Sequence, residues 1–302
     1  MCESLDSVTL NFSQNGLFVL DMTLFVIMFG VALALRIEDF QLLLKKPIAP
    51  VTGLVSQFVL LPALTLGLVW ILRPCPSMAL GMFLVAACPG GNISNFMSLM
   101  AKGNVALSVS LSAMATILAI VMTPFNFAFW SQFYPPAKEL LLAISINPID
   151  IFLKILTILA IPLFLGMWTA RKFPALTAKI TKPIRILSIL FFAGYILIAL
   201  MLNFDFFVKY IKFVVLIVVA HNATALSGGY FLSKLMGLGT TDSRTISIET
   251  GIQNSGLALV LIFGPIFNGM GGMAMIAAMW GITHIVSGLS IATFWSKFPA
   301  KS

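Results

Sequence analysis

A chain of 302 residues that is 60% hydrophobic and 9% charged, with a mean hydropathy of +1.05, carries more apolar surface than a water-soluble core encloses, so its solvent is lipid. The formal net charge of +8 reports membrane topology and anionic headgroups, and nothing in it points to a nucleic-acid partner. The apolar runs are continuous for about 20 residues, the length of a helix across a roughly 30 Å hydrocarbon core, which excludes a transmembrane β-barrel of short alternating segments.

The chain opens with Glu3 and Asp6 and no basic cluster, so the first residues do not look like a signal peptide and are expected to persist as a short outer tail. Cys2, Cys75 and Cys88 are too few and too scattered to announce a disulfide framework or a CxxC metal site. Asn11-Phe12-Ser13 fits a glycosylation triplet, which has meaning only in a eukaryote.

Nine spans are predicted, at residues 17–35, 50–72, 79–101, 104–130, 148–170, 185–203, 211–233, 244–265 and 272–296. Asp21 falls near the outer interface. Gln57 stands alone among apolar neighbours in the second span, and Ser108 and Ser112 share one face of the fourth. Asp150 and Lys154 read as a helical pair near the interface, and His221-Asn222 as structural. His284, in the last span, faces either a substrate cavity or a neighbouring helix.

An odd span count puts the termini on opposite sides. With the N-terminus outside, Arg36, Lys45, Lys46, Lys102, Arg171, Lys172, Lys179, Lys182, Arg185, Lys234, Arg244, Lys297 and Lys301 face the cytoplasm, 13 of the 18 basic residues. That is the asymmetry of the positive-inside rule.

Two spans break the apolar pattern. In the third, Cys88-Pro89-Gly90-Gly91-Asn92-Ile93-Ser94-Asn95 puts a proline and two glycines at mid-membrane depth, where the helix should unwind. Freed backbone groups are tolerated there only in a protein-lined or hydrated cavity. In the eighth, Glu249-Thr250-Gly251-Ile252-Gln253-Asn254 carries a carboxylate that costs about 3 kcal/mol to insert and needs a partner. A bound cation is the simplest candidate, and the oxygens on offer suit sodium; zinc would want Cys and His in close array, and His221 and His284 lie in different spans. The two broken spans run in opposite directions, the mark of an inverted repeat with its binding site at the midplane.

At Cys88-Pro-Gly-Gly-Asn-Ile-Ser-Asn95, Gly103-Asn-Val-Ala-Leu-Ser108 and Glu249-Thr-Gly-Ile-Gln-Asn254-Ser the chain resembles the bile acid:sodium symporter family, and Met28-Phe-Gly and Gln57-Phe with Pro62 extend the likeness from about Leu17 onward. The resemblance implies an all-α polytopic membrane protein, a single transporter domain over 1–302 with two crossing broken helices. It also implies a core domain (about 50–130 and 211–296) and a panel domain (about 17–35 and 148–203), with repeats near 17–130 and 148–296. Nine helices would match the animal members, bacterial relatives commonly having ten.

The resemblance further implies one sodium site of Ser94, Asn95, Ser108, Ser112 and Glu249, and a second of Gln57, Glu249, Gln253 and the carbonyls of Thr250 and Ile252. An amphipathic organic anion is expected near Asn92, Asn254 and His284, imported with two sodium ions by alternating access. The bilayer is a bacterial inner membrane in preference to a eukaryotic plasma membrane. A cation/proton antiporter of similar crossed-helix fold is the alternative, and it usually needs a second acid beside Glu249. An intramembrane enzyme lacks a convincing set in Cys88, His221 and His284, and a channel would not concentrate its polar residues at one depth.

Overall fold

The computed structural model describes residues 47–91, 93–143, 148–202, 204–264, 267 and 269–300, together with Cys2, Asp6, Met22, Phe25, Val26, Met28, Phe29, Gly30, Ala32 and Leu33; for several residues within 148–207 it describes the backbone alone. Asn11, Asp21, Asn92 and the side chains of Asp150 and Lys154 lie outside the described residues. Among the described residues every regular element is helical. These are α1 (Ile48–Leu72), α2 (Pro76–Ala87), α3 (Ser94–Met100), α4 (Val105–Ser131), α5 (Pro135–Ala143), α6 (Pro148–Lys172), α7 (Pro174–Leu202), α8 (Phe204–Leu235), α9 (Thr240–Gly251), α10 (Ser255–Phe263) and α11 (Gly271–Ser296).

α1, α4, α11 and the stretch Val208–Leu235 of α8 are each long and apolar enough to cross a bilayer. The third and eighth predicted spans are each two short helices, α2 with α3 and α9 with α10. α7 begins at Pro174, ahead of the expected 185, because the basic segment before Arg185 is already helical and carries Pro183 inside the helix. The short α5 was not expected; its length of 9 residues is too small to leave a span signal.

The local causes of the breaks are visible. Cys88 is extended (φ −70°, ψ 156°), as the residue before a proline is forced to be, and α2 stops there. α9 ends at Gly251, with Ile252 extended at φ −107°, ψ 96°. α10 restarts on Asn254, whose side chain accepts from the Leu257 amide at 3.0 Å.

α2 is the centre of the molecule: all its residues but Pro76 are buried. It packs on α4 and α11, and at Gly81 a methyl group would fall 2.9 Å from the Met273 α-carbon, so the glycine lets the α2 and α11 backbones close on each other. Phe83, Phe127 and Trp280 anchor the surrounding core.

Two described residues of the N-terminal stretch, Cys2 and Asp6, are held against the fold. Cys2 and Cys75 form a disulfide across 73 residues, and Asp6 accepts from the Ser77 amide at 2.9 Å. The scattered cysteines hid this pair because distance along the chain does not say which residues the fold brings to the α1–α2 connection. Cys88 is free and buried.

Candidate functional site

The two broken helices cross at their unwound segments and pair there. Gly90 and Gln253 form an isolated antiparallel bridge: Gly91 N–H donates to the Ile252 carbonyl at 2.7 Å, and Asn254 N–H to the Pro89 carbonyl at 2.8 Å. Side chains from outside finish the half-helix ends. Thr123 Oγ1 donates to the Ala87 carbonyl at 2.8 Å, and Asn222 Nδ2 to the Gly251 carbonyl at 2.7 Å. In a medium without water these groups have no other recourse.

On one side of the crossing lies the Glu249 carboxylate, 5% exposed. Oε1 accepts from Ser94 Oγ at 2.6 Å and from Ser108 Oγ; Oε2 accepts from Ser112 Oγ at 3.1 Å. Asn95 Oδ1 stands 2.8 Å from Ser108 Oγ and 3.4 Å from Ser112 Oγ. α3, α4 and α9 thus bring Ser94, Asn95, Ser108, Ser112 and Glu249 together. The i, i+4 spacing of Ser108 and Ser112 does put both hydroxyls on the face that meets Glu249.

Ser98 joins this cluster and was not anticipated. It is fully buried, with Oγ 3.2 Å from Ser108 Oγ. Its signal was available, since Ser94 and Ser98 repeat on α3 the spacing of Ser108 and Ser112 on α4.

The cluster is rich in acceptors. The Ser108 hydroxyl has one proton for three neighbours, Glu249 Oε1, Asn95 Oδ1 and Ser98 Oγ. The partners of Glu249 among the described residues are hydroxyls, none of them cationic. A buried anion amid surplus hard oxygens is suited to a cation such as sodium. Among the described residues no cluster of three His, Cys, Asp or Glu offers the softer alternative.

On the other side, a π-helical turn at Ser56–Leu60 interrupts α1. It buries Ser56, Gln57 and Phe58 in succession and aims Gln57 at the crossing, a use of such turns that recurs at functional sites. Gln57 and Gln253 pair through both amides, Nε2 of Gln57 donating to Oε1 of Gln253 at 2.8 Å and the reverse at 3.1 Å. The same nitrogens donate to the carbonyls of Cys88 and Thr250, each at 2.8 Å. Ser56, also unanticipated, has its Oγ 2.7 Å from Thr250 Oγ1.

The Ile252 and Thr250 carbonyls each already accept one hydrogen bond and retain a second lone pair. Gly90 separates the two clusters: a β-carbon there would fall 3.1 Å from Glu249 Oε2 and 3.7 Å from the Ile252 carbonyl.

The residues expected to meet the organic solute are less united. Asn254 is half-buried and uses its oxygen to cap α10. His284 is buried on α11 with Nδ1 lacking a hydrogen-bond partner, and the two share no hydrogen bond. An open groove of about 380 Å³ between α1 and α8, lined by Leu64, Ala223, Thr224, Ser227 and Gly228, contains none of the expected site residues.

Residues 21–210 match the Sodium Bile acid symporter family. The chain is 30% identical over 275 residues to the "Uncharacterized sodium-dependent transporter YocS" of Bacillus subtilis (strain 168), covering 90% of this chain and 81% of that one. It is 28% identical over 279 residues to the "Probable sodium/metabolite cotransporter BASS1, chloroplastic" of Arabidopsis thaliana, covering 91% of this chain and 66% of the plant protein. With "Sodium/bile acid cotransporter 4" of Homo sapiens it shares 27% identity over 263 residues, 85% of this chain and 58% of the human one.

Proposed function

The chain belongs to the sodium bile acid symporter family, and from that premise we propose that it imports an organic anion together with two sodium ions by alternating access. It is a multi-pass membrane protein whose relatives are named as sodium-dependent transporters and cotransporters. The observation that carries the proposal is Glu249: a buried carboxylate whose described partners are hydroxyls.

In this reading Ser94, Asn95, Ser98, Ser108, Ser112 and Glu249 hold the first ion. Gln57, Gln253, Glu249 and the carbonyls of Thr250 and Ile252 hold the second, the glutamine amides turning their oxygens toward it. Two monovalent cations against one carboxylate leave a single positive charge, which a monovalent organic anion neutralises. The N-terminal end of α10, with its positive dipole character, offers that anion a place beside Asn254 and Asn92, and His284 contributes from α11. The helices 50–130 and 211–296 form the core that rocks against a panel of 17–35 and 148–203, and the two broken helices belong to inverted repeats. The membrane is a bacterial inner membrane. An antiporter exchanging cations for protons fits less well, since the described crossing holds one acid and the relatives' names speak of cotransport.

The test is thermal stability of the purified protein against a panel of organic anions, each in sodium and in potassium, since a ligand stabilises the state it binds by mass action. Stabilisation by an anion in sodium and not in potassium is the expected result, and it names the substrate class. Stabilisation that ignores the cation would overturn the coupling.

A further inference from the structure

We propose that the N-terminal segment is a redox-sensitive strap on an oxidising outer face, bonded through Cys2–Cys75 and seated by Asp6 on the outer end of α2. Two separate contacts define it. Cys2 is joined to Cys75, the residue that precedes α2 and is itself 3% exposed. Asp6 accepts from the Ser77 amide at 2.9 Å, one of the first-turn donors of α2 that no intrahelical carbonyl satisfies, and a carboxylate there also complements the helix dipole.

The bond carries topological information. Two bonded cysteines lie on the same side of the membrane, so an even number of crossings separates Cys2 from Cys75. Ile48–Leu72 is one such crossing, and an odd number must precede it; the apolar stretch 17–35 supplies one. The shared face is then the one opposite Lys45, Lys46 and Lys102, the basic-poor side that the charge distribution assigns to the exterior. Disulfides persist in oxidising compartments and rarely in the cytosol, so the bond and the charges agree on which side is out.

What the strap holds gives it mechanical meaning. α2 is buried along nearly its whole length and ends at Cys88, where the crossing begins, so the strap grips the far end of a helix that leads into the crossing. Bond formation removes two electrons and two protons from the thiols, passed to a disulfide oxidant of the outer compartment that becomes a dithiol. A water-soluble phosphine reverses this, supplying the electrons and leaving as its oxide with oxygen from water.

Three measurements test the proposal without reliance on transport. Denatured in maleimide without reductant, the protein should take one label, on Cys88, and after reduction three; three labels without reduction overturn the bond. In membrane vesicles, an impermeant phosphine followed by an impermeant maleimide should label Cys2 from the basic-poor side, and labelling from the basic-rich side or from neither overturns the outer strap. Reductant should lower the Tm of the purified wild-type protein by several degrees and leave Cys2→Ser unmoved; an equal shift in both, or in neither, overturns the redox sensitivity.

Discussion

Gly91 donates its amide to the Ile252 carbonyl at 2.7 Å, and by that bond each broken helix satisfies backbone that the other has freed. The reciprocal bond from Asn254 to Pro89 closes the pair. An unsatisfied backbone group costs several kcal/mol in hydrocarbon, so the crossing is stable only with both halves present. It is a joint between two distant parts of the chain, and the side chains proposed to bind sodium hang from it.

Gly90 is where the joint and the first ion site touch. Replacing it with alanine puts a methyl group 3.1 Å from Glu249 Oε2, so the carboxylate must give way. Gly90→Ala is expected to weaken sodium activation of uptake in proteoliposomes about tenfold, or about 1.4 kcal/mol. Gly67→Ala, at a position with nothing within 4 Å, serves as the control. Equal sodium dependence in both variants would remove Gly90 from the site.

Glu249→Gln keeps the size of the side chain and one oxygen that can accept from Ser94, Ser108 or Ser112, and removes the charge together with the second acceptor oxygen, which becomes an amide donor. If the charge holds sodium, sodium-dependent uptake should fall at least about 100-fold, equivalent to about 2.7 kcal/mol, while size-exclusion behaviour stays that of the wild type. A variant that is well folded and transports normally would show the carboxylate to be structural.

Glu249, Ser108 and Ser112 were legible in the sequence because their chemistry is improbable in lipid: a carboxylate and spaced hydroxyls within apolar runs demand a purpose. The breaks were legible through Pro89 and the glycines. Ser98 left a signal in its i, i+4 spacing from Ser94, whereas Ser56 left none, since lone serines are common in membrane helices and only the fold brings it to Thr250. The π-turn that aims Gln57 left no mark, because its residues are ordinary helix formers. The Cys2–Cys75 pair was hidden for another reason: 73 residues separate the two, and composition does not record where a chain returns.

Gln57 and Gln253 act as a pair, each amide bonded to the other and to a carbonyl at the end of a broken half-helix, Gln57 to Cys88 after α2 and Gln253 to Thr250 in the last turn of α9. Either alanine replacement leaves a buried amide without its partner and a carbonyl without its donor, a cost of about 1–3 kcal/mol. The second replacement then removes a group already orphaned. The double variant should therefore lose less stability than the two singles together, with a coupling of at least about 0.5 kcal/mol. Thermal unfolding of the three variants measures it, and strict additivity would mean that the amides act separately.

Arg244 is buried at 3% exposure, and its described hydrogen-bond partners are carbonyls. Nη1 donates to the Ala101 carbonyl at 2.9 Å, both terminal nitrogens reach the Phe298 carbonyl at 3.3 and 3.4 Å, and Nη2 reaches Pro299 at 3.4 Å. The guanidinium also lies over the Trp295 ring at 5.8 Å. One cation thus closes the C-terminal ends of α3 and α11, where the helix dipoles favour it, from a place on α9 five residues before Glu249. A lysine ammonium is a point on a flexible stem and cannot span both ends or stack. Arg244→Lys is expected to lose about 1.5–3 kcal/mol, the range for hydrogen bonds to a charged group, and to expose the segment after α11 to protease. Because α3 and α9 both carry ligands of the proposed first ion site, loosening their ends at Arg244 should also weaken sodium activation. Lost stability with sodium dependence unchanged would show that the clamp secures the end of α11 alone.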